Sequence, residues 1–268
     1  MPGILNMSRD GIGYIVVMAV GVCLVCSVFV SGAAVYLKPL QNVNKAADRQ
    51  SNILEVAGLM EPGIDVRQRF DERIDTKIVE IETGEYVESI DPEDFEQQEA
   101  ARDPEMSVKV PREEDIAGIK QRSRYAEVYL VKGNGDEIES IILPVHGYGL
   151  WSTMYGFIAL EPDANTVQGL KFYQQGETPG LGAEVENPKW RDLWPGKLVY
   201  GPEGEPQIRV IKGSVSEGTP NSEYKVDGLS GATITSRGVS NMLEYWMGER
   251  GFQPFLKRIR QGSLTAAK

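Results

Sequence analysis

The segment Asp227-Gly228-Leu229-Ser230-Gly231-Ala232-Thr233 puts small residues and hydroxyls on a turn, just ahead of a stretch that reads as a helix from about Ser236. The chemistry such a segment can do is phosphate binding. Gly228 and Gly231 let the backbone approach a ligand closely and adopt positive φ. Ser230, Thr233, Thr235 and Ser236 supply hydroxyls, and a helix N-terminus presents unpaired N–H groups that favour a phosphate. An ordinary capped turn has the same composition, because Ser and Thr are favoured at helix starts in any protein.

Two further segments have the texture of a site. Gly147-Tyr148-Gly149-Leu150-Trp151 is a glycine-rich turn that delivers an aromatic, and Gln175-Gly176-Glu177-Thr178-Pro179-Gly180-Leu181-Gly182 is too glycine-rich to be a strand interior. Both fall at the ends of predicted elements, where sites are commonly built, although tight turns use the same residues. Other chemistries find no support. His146 is the one histidine, so a His-based zinc or iron site is excluded. No Gly-x-Ser-x-Gly elbow accompanies it, which disfavours a hydrolase triad. No Gly-x-Gly-x-x-Gly follows a strand, so this chain is not expected to bind NAD.

The Ser-Gly-Ala-Thr stretch resembles the flavinylation motif of the FMN-binding domain family, in which a threonine hydroxyl carries FMN through a phosphodiester; the matching residue is Thr233. His146 to Trp151, Gln175 to Asp192 and Asp227 to Trp246 together resemble the NqrC family, the C subunits of the sodium-translocating NADH:quinone oxidoreductases. The Gly176–Gly182 and Asp227–Thr233 strings are the most specific parts of that likeness, which extends over nearly the full length. It implies a covalent FMN on Thr233, with Ser230, Gly231, Ala232, Thr235 and nearby backbone N–H groups steadying the phosphate. Trp151 and Leu181 are the expected ring contacts, and Glu177 and Thr178 the expected partners of the ring's polar edge; for Trp151 a buried core position is the competing expectation.

The resemblance further implies a flavin transferase that uses FAD to load the threonine outside the cytoplasm. The chain would pass electrons one at a time between an iron–sulfur centre and the FMN of the B subunit, within a complex that also holds A, D, E and F subunits. Catalysis by the isolated chain is not expected. Two alternatives remain open: the G-type flavoprotein of the related Rnf complex, and a cofactor-free, membrane-tethered binding or assembly protein.

The elements that must position these residues follow from composition. The chain has 268 residues, 41% hydrophobic and 25% charged, with a net charge of −11. That balance is ordinary for a folded protein and argues against a nucleic-acid partner, which needs clustered Lys and Arg. Ile12 to Leu37 contains no charged residue and reaches about 39 Å as a helix, enough to cross a bilayer in contact with lipid. Its length favours a retained single-pass anchor over a cleaved signal peptide, despite the small residues of Ser31-Gly32-Ala33-Ala34. Arg9 precedes the span and Lys38, Lys45 and Arg49 follow it, so charge gives no support for an N-inside orientation. The family likeness nonetheless implies that N-inside arrangement, an inner-membrane anchor with the soluble part in the periplasm. Cys23 and Cys26 lie inside the span and read as small apolar side chains rather than a redox pair.

The expected organisation is a tail over 1–11, a transmembrane helix over 12–37, an acidic membrane-proximal region over 38–122 and an FMN-binding domain over 123–268. Met1 to Asn6 reads as an extension before Met7. Helices are predicted at Gln50–Met60, Glu113–Gln121, Asn187–Leu193, Ser236–Met247 and Pro254–Arg260. Strands are predicted at Lys77–Ile81, Ala126–Lys132, Glu137–Val145, Trp151–Leu160, Thr166–Tyr173, Leu198–Tyr200 and Gln207–Lys212, with Gly133-Asn134-Gly135-Asp136 as a hairpin signal. The fold class is α+β, with a mostly antiparallel twisted sheet and flanking helices.

Overall fold

The charge-free run belongs to one 45-residue helix, α1 (Ile12–Val56), which includes Pro39. The structure is a computed structural model that describes residues 11–133 and 137–262; the extension Met1 to Asn6 and the Asn134–Asp136 part of the hairpin signal lie outside them. Two compact units are present, Met1–Arg49 and Gln50–Lys268. In the first, α1 is long and apolar enough to cross a membrane, and its large apolar side chains from Ile12 to Val43 are exposed. Cys23 and Cys26 are free thiols on it.

In the second unit, the last turns of α1 bury Ile53, Leu54 and Val56. There follow α2 (Val66–Arg73), β1 (Ile74–Glu80), β2 (Glu85–Tyr86), α3 (Gln97–Ala100), β3 (Ser107–Lys109), β4 (Gln121–Ser123), β5 (Tyr125–Lys132), β6 (Ile138–Tyr148), β7 (Thr153–Leu160) and β8 (Val167–Gln174). Then come a 3-10 turn (Gly182–Glu186), α4 (Pro188–Arg191), β9 (Arg209–Val210), a second 3-10 turn (Ser222–Tyr224), β10 (Lys225–Val226), α5 (Thr233–Trp246) and α6 (Gln253–Arg260). One six-stranded sheet has the order β2-β1-β5-β6-β7-β8, and every neighbouring pair in it is antiparallel. The short pair β9–β10 is parallel. The α+β class with a mostly antiparallel sheet holds.

Both faces of the sheet are covered, which explains why its central strands read as continuous apolar runs. Side chains alternate across a strand. Along β5, Val128 and Leu130 join a large core with Val239, Leu243 and Trp246 of α5 and Phe255 of α6. Tyr129 and Val131 face the other way, into a smaller core with Ile53, Leu54 and Ile74.

Several predicted elements differ. Glu113–Gln121 is not a helix but a series of turns. The Asp115 carboxylate accepts from the amides of Ile119 and Lys120 at 2.8 Å each, so a side chain takes bonds that a helix would have used. β1 pairs with β5 along its whole length, from Ile74↔Val131 to Glu80↔Tyr125. The boundary expected between residues 122 and 123 therefore falls inside one compact unit. Leu198 and Tyr200 form isolated bridges only, and the 207–212 strand shrinks to β9.

Candidate functional site

Three loops meet at one edge of the sheet. β6 ends and β7 begins at the pair Tyr148↔Thr153, and β8 ends beside them at Gln174, opposite Tyr155. The turn 149–152 and the loop 175–181 therefore leave the same edge. α5 lies across β6, and Gly238 is seated against the end of that strand: a Cβ there would stand 2.6 Å from the Tyr148 carbonyl oxygen. The N-terminus of α5 is thereby brought to the two loops.

Glu177 ties the three segments together. It is 5% exposed. Its Oε1 accepts from the amides of Trp151 at 2.9 Å, Leu150 at 3.1 Å and Ser152 at 3.3 Å. Its Oε2 accepts from Leu150 N at 3.1 Å and from Thr235 Oγ1 at 2.6 Å. Burial alone would raise the pKa of this carboxyl, but hydrogen bonds from Thr235 and from the amides of Trp151, Leu150 and Ser152 outweigh burial and hold it below its ordinary value. Both oxygens are engaged by the protein itself, and through them Glu177 links the turn 149–152 to α5.

The motif is anchored at both ends. The Asp227 carbonyl accepts from Trp190 Nε1 at 2.8 Å, and its carboxylate from Val215 N at 2.8 Å. Leu229 N donates to Ser236 Oγ at 3.1 Å. Gly231 has φ +72, a left-handed conformation that favours glycine, and a Cβ there would come within 2.9 Å of Leu181 Cδ2. α5 begins at Thr233, three residues earlier than expected, with Ala232 as an N-cap that makes no side-chain hydrogen bond. The amides of its first turn thus lack a capping side chain and are available to an anion.

The hydroxyls of that turn divide sharply. Thr233 and Ser230 are exposed. Thr235 is 1% exposed and committed to Glu177, and Ser236 is buried and committed to Leu229. The structure brings Ser230, Gly231, Ala232 and Thr233 together on one turn and withdraws the Thr235 hydroxyl from solvent.

Around the start of α5 and the two loops several apolar side chains are exposed. Trp151 is 65% exposed, which overturns the buried-core expectation for it. Leu181 joins it, as do Tyr148, Leu150 and Ile234, three exposed side chains that sequence reasoning does not single out. Ile234 is legible as the apolar residue between Thr233 and Thr235; Tyr148 and Leu150 lie in the segment already marked by its glycines. Thr178 is exposed, and its carbonyl accepts from the amides of Leu181 and Ala183. A reachable hydroxyl at an uncapped helix start, next to exposed apolar and aromatic faces, fits a phosphate-linked flat π-system such as FMN. His146 does not belong to this surface. Its ring is stacked on Tyr155 at 5.4 Å and lies 4.8 Å from that of Trp246, and burial pushes its pKa down to about 4, so it is neutral near pH 7 and packs as an aromatic.

Comparison with known proteins points to the same class of cofactor. A family model described as FMN-binding domain matches residues 149–248. The chain is 51% identical over 248 residues to the C subunit of the Na(+)-translocating NADH-quinone reductase of Pseudomonas aeruginosa, covering 91% of this chain and 95% of that one. It is 46% identical to the corresponding C subunit of Yersinia pestis, covering 96% of each. Among solved structures, NqrC of Shewanella oneidensis matches with a TM-score of 0.75 at 36% identity, over 81% of this chain and 99% of that one. The C subunit of the Parabacteroides distasonis reductase matches with a TM-score of 0.64 at 29% identity, over 82% and 96%.

Proposed function

The chain belongs to the NqrC family, the C subunits of the Na(+)-translocating NADH-quinone reductases, and we propose that it is a covalent FMN carrier with Thr233 as the attachment point. The observation that carries the assignment is the contrast between two threonines. Thr233 offers an exposed hydroxyl at the start of α5, whereas the hydroxyl of Thr235 is buried against Glu177. Attachment from FAD would form a bond from Thr233 Oγ1 to the phosphorus of the FMN half, break the P–O–P bond and release AMP together with the hydroxyl proton; a separate flavin transferase would perform it.

Bound FMN supplies the electron chemistry. The residues of this chain fix its position. Thr233 and the first-turn amides of α5 hold the phosphate end, helped by Ser230 and Gly231. Trp151 and Leu181, with Ile234, offer apolar faces to the ring. Glu177 keeps the two loops and α5 in register. A phosphodiester keeps the flavin from dissociating in any redox state, as a carrier between a donor and an acceptor requires. In this reading the donor is an iron–sulfur centre of neighbouring subunits and the acceptor is the FMN of the B subunit. α1 anchors the chain as a single pass in the bacterial inner membrane with the second unit in the periplasm, an orientation that rests on the family likeness and not on flanking charge.

The test is flavin fluorescence in a denaturing gel, on full-length protein co-expressed with its flavin transferase, followed by peptide mass spectrometry. Fluorescence that survives denaturation and maps to Thr233 supports the carrier. A dark band beside an active transferase leaves a membrane-tethered binding protein.

A further inference from the structure

Thr233 also borders a groove on the side away from the loop 175–181. One wall is a single face of α5, on which Thr233, Arg237, Ser240 and Glu244 follow one another; the other is the chain from Arg209 to Gly213, with Gly228 and Leu229 beneath. The cavity is about 330 Å³. Its walls are fixed to each other. Ser240 Oγ accepts from Val210 N at 2.9 Å, and Gly228 N donates to the Gly213 carbonyl at 2.8 Å. A Cβ at Gly228 would stand 2.2 Å from the Ile211 carbonyl oxygen, so the floor can meet that wall only because residue 228 has no side chain.

The charge of this groove runs against that of the chain. Acidic residues outnumber basic ones 39 to 28 in the chain, whereas the groove lining carries three basic side chains and one carboxylate. Arg209, Lys212 and Arg237 line the groove, are exposed, and form no ion pair among the described residues; Arg209 Nε donates to the Gln207 carbonyl at 3.2 Å. Arg237 is one helical turn from Thr233 on the same face, the spacing at which side chains meet. The one carboxylate on the groove, Glu244, is three turns along, about 16 Å down the axis.

Resting on Thr233 as the attachment point, we propose that this groove is the phosphate side of the flavin site. Arg237 and Lys212, with Arg209 behind them, hold the phosphodiester anion. A guanidinium matches two phosphate oxygens at once, and an ammonium adds a point charge. With the anion drawn toward the groove, the ribityl chain leaves Thr233 on the opposite side, toward Trp151 and Leu181. The three cations are positioning residues: they fix which way the attached group points.

The experiment is ³¹P NMR on the full-length, flavin-loaded protein, comparing the parent with Arg237→Gln and with Arg237→Gln/Lys212→Gln, each at low and at high NaCl. Exposed ion pairs are screened by salt. In the parent, the phosphodiester resonance is expected to move as salt rises; in the double variant it should already sit at the high-salt position and lose that dependence. A parent resonance insensitive to salt, or a double variant indistinguishable from the parent, overturns the proposal. Should the double variant take up no flavin, the parent's own salt series decides. Thr233→Ala separates the two levels: covalent flavin persisting in it removes the attachment point itself, whereas its loss together with an immobile parent resonance removes only the groove.

Discussion

Thr233 and Thr235, two residues apart, face opposite environments in the first turn of α5: the first hydroxyl is open to solvent, and the second is 1% exposed and donates to Glu177 at 2.6 Å. Successive helical positions differ by about 100°, so a two-residue offset turns one side chain outward and the other into the sheet edge. Attachment chemistry and structural chemistry are divided between them.

Thr233→Ala should abolish covalent flavin while leaving stability within about 0.5 kcal/mol of the parent, because the side chain is exposed and makes no cap. Gel fluorescence and thermal melting measure the two effects separately.

Thr235→Val should do the reverse. It preserves shape but removes a hydroxyl donor from a buried carboxylate, at a cost of about 1.5–3 kcal/mol. Covalent flavin, mapped by mass spectrometry, should still be found on Thr233.

Glu177→Gln should destabilise by about 3 kcal/mol, because the new amide nitrogen must face N–H donors. The carboxyl's folded pKa is lowered from 4.5, so its contribution is complete above about pH 4.5 and declines as pH falls through the folded value below that. Denaturant titrations of parent and variant should therefore converge on acidification below pH 4.5 and run parallel above it. A gap that stays constant through the acid range would show that the ionised carboxylate is not the link between the turn 149–152 and α5.

Trp151→Ala should leave stability within about 0.5 kcal/mol, since the side chain is 65% exposed. In the loaded protein it should raise flavin fluorescence, because an aromatic face against the ring is removed. Unchanged fluorescence would place the ring elsewhere.

Much of this architecture is legible in the sequence. Strands β5 to β8 carry apolar runs broken by glycine and proline turns, and α4 carries Pro188 at its first position. The motif residues announce themselves by composition. What a local reading misses is long-range. Nothing near Glu177 in the chain indicates that its carboxylate is filled by amides 25–27 residues earlier and a hydroxyl 58 residues later. Propensity places the start of α5 too late, because Thr233, Ile234 and Thr235 are weaker helix formers than Ala or Leu; packing against β6 overrides that. Glu113–Gln121 has helical composition, and the Asp115 side chain defeats it.

The apolar side chains around the start of α5 and the two loops are open to solvent. Tyr148, Leu150, Trp151, Leu181 and Ile234 are all exposed, so in the proposed site the surface offered to the flavin would also be open to a docking partner. A protein that docks there would meet the flavin itself rather than a covering of this chain's own residues. Donor and acceptor would then compete for the same open face, and electron transfer would be timed by docking rather than by any change in the flavin's hold on Thr233.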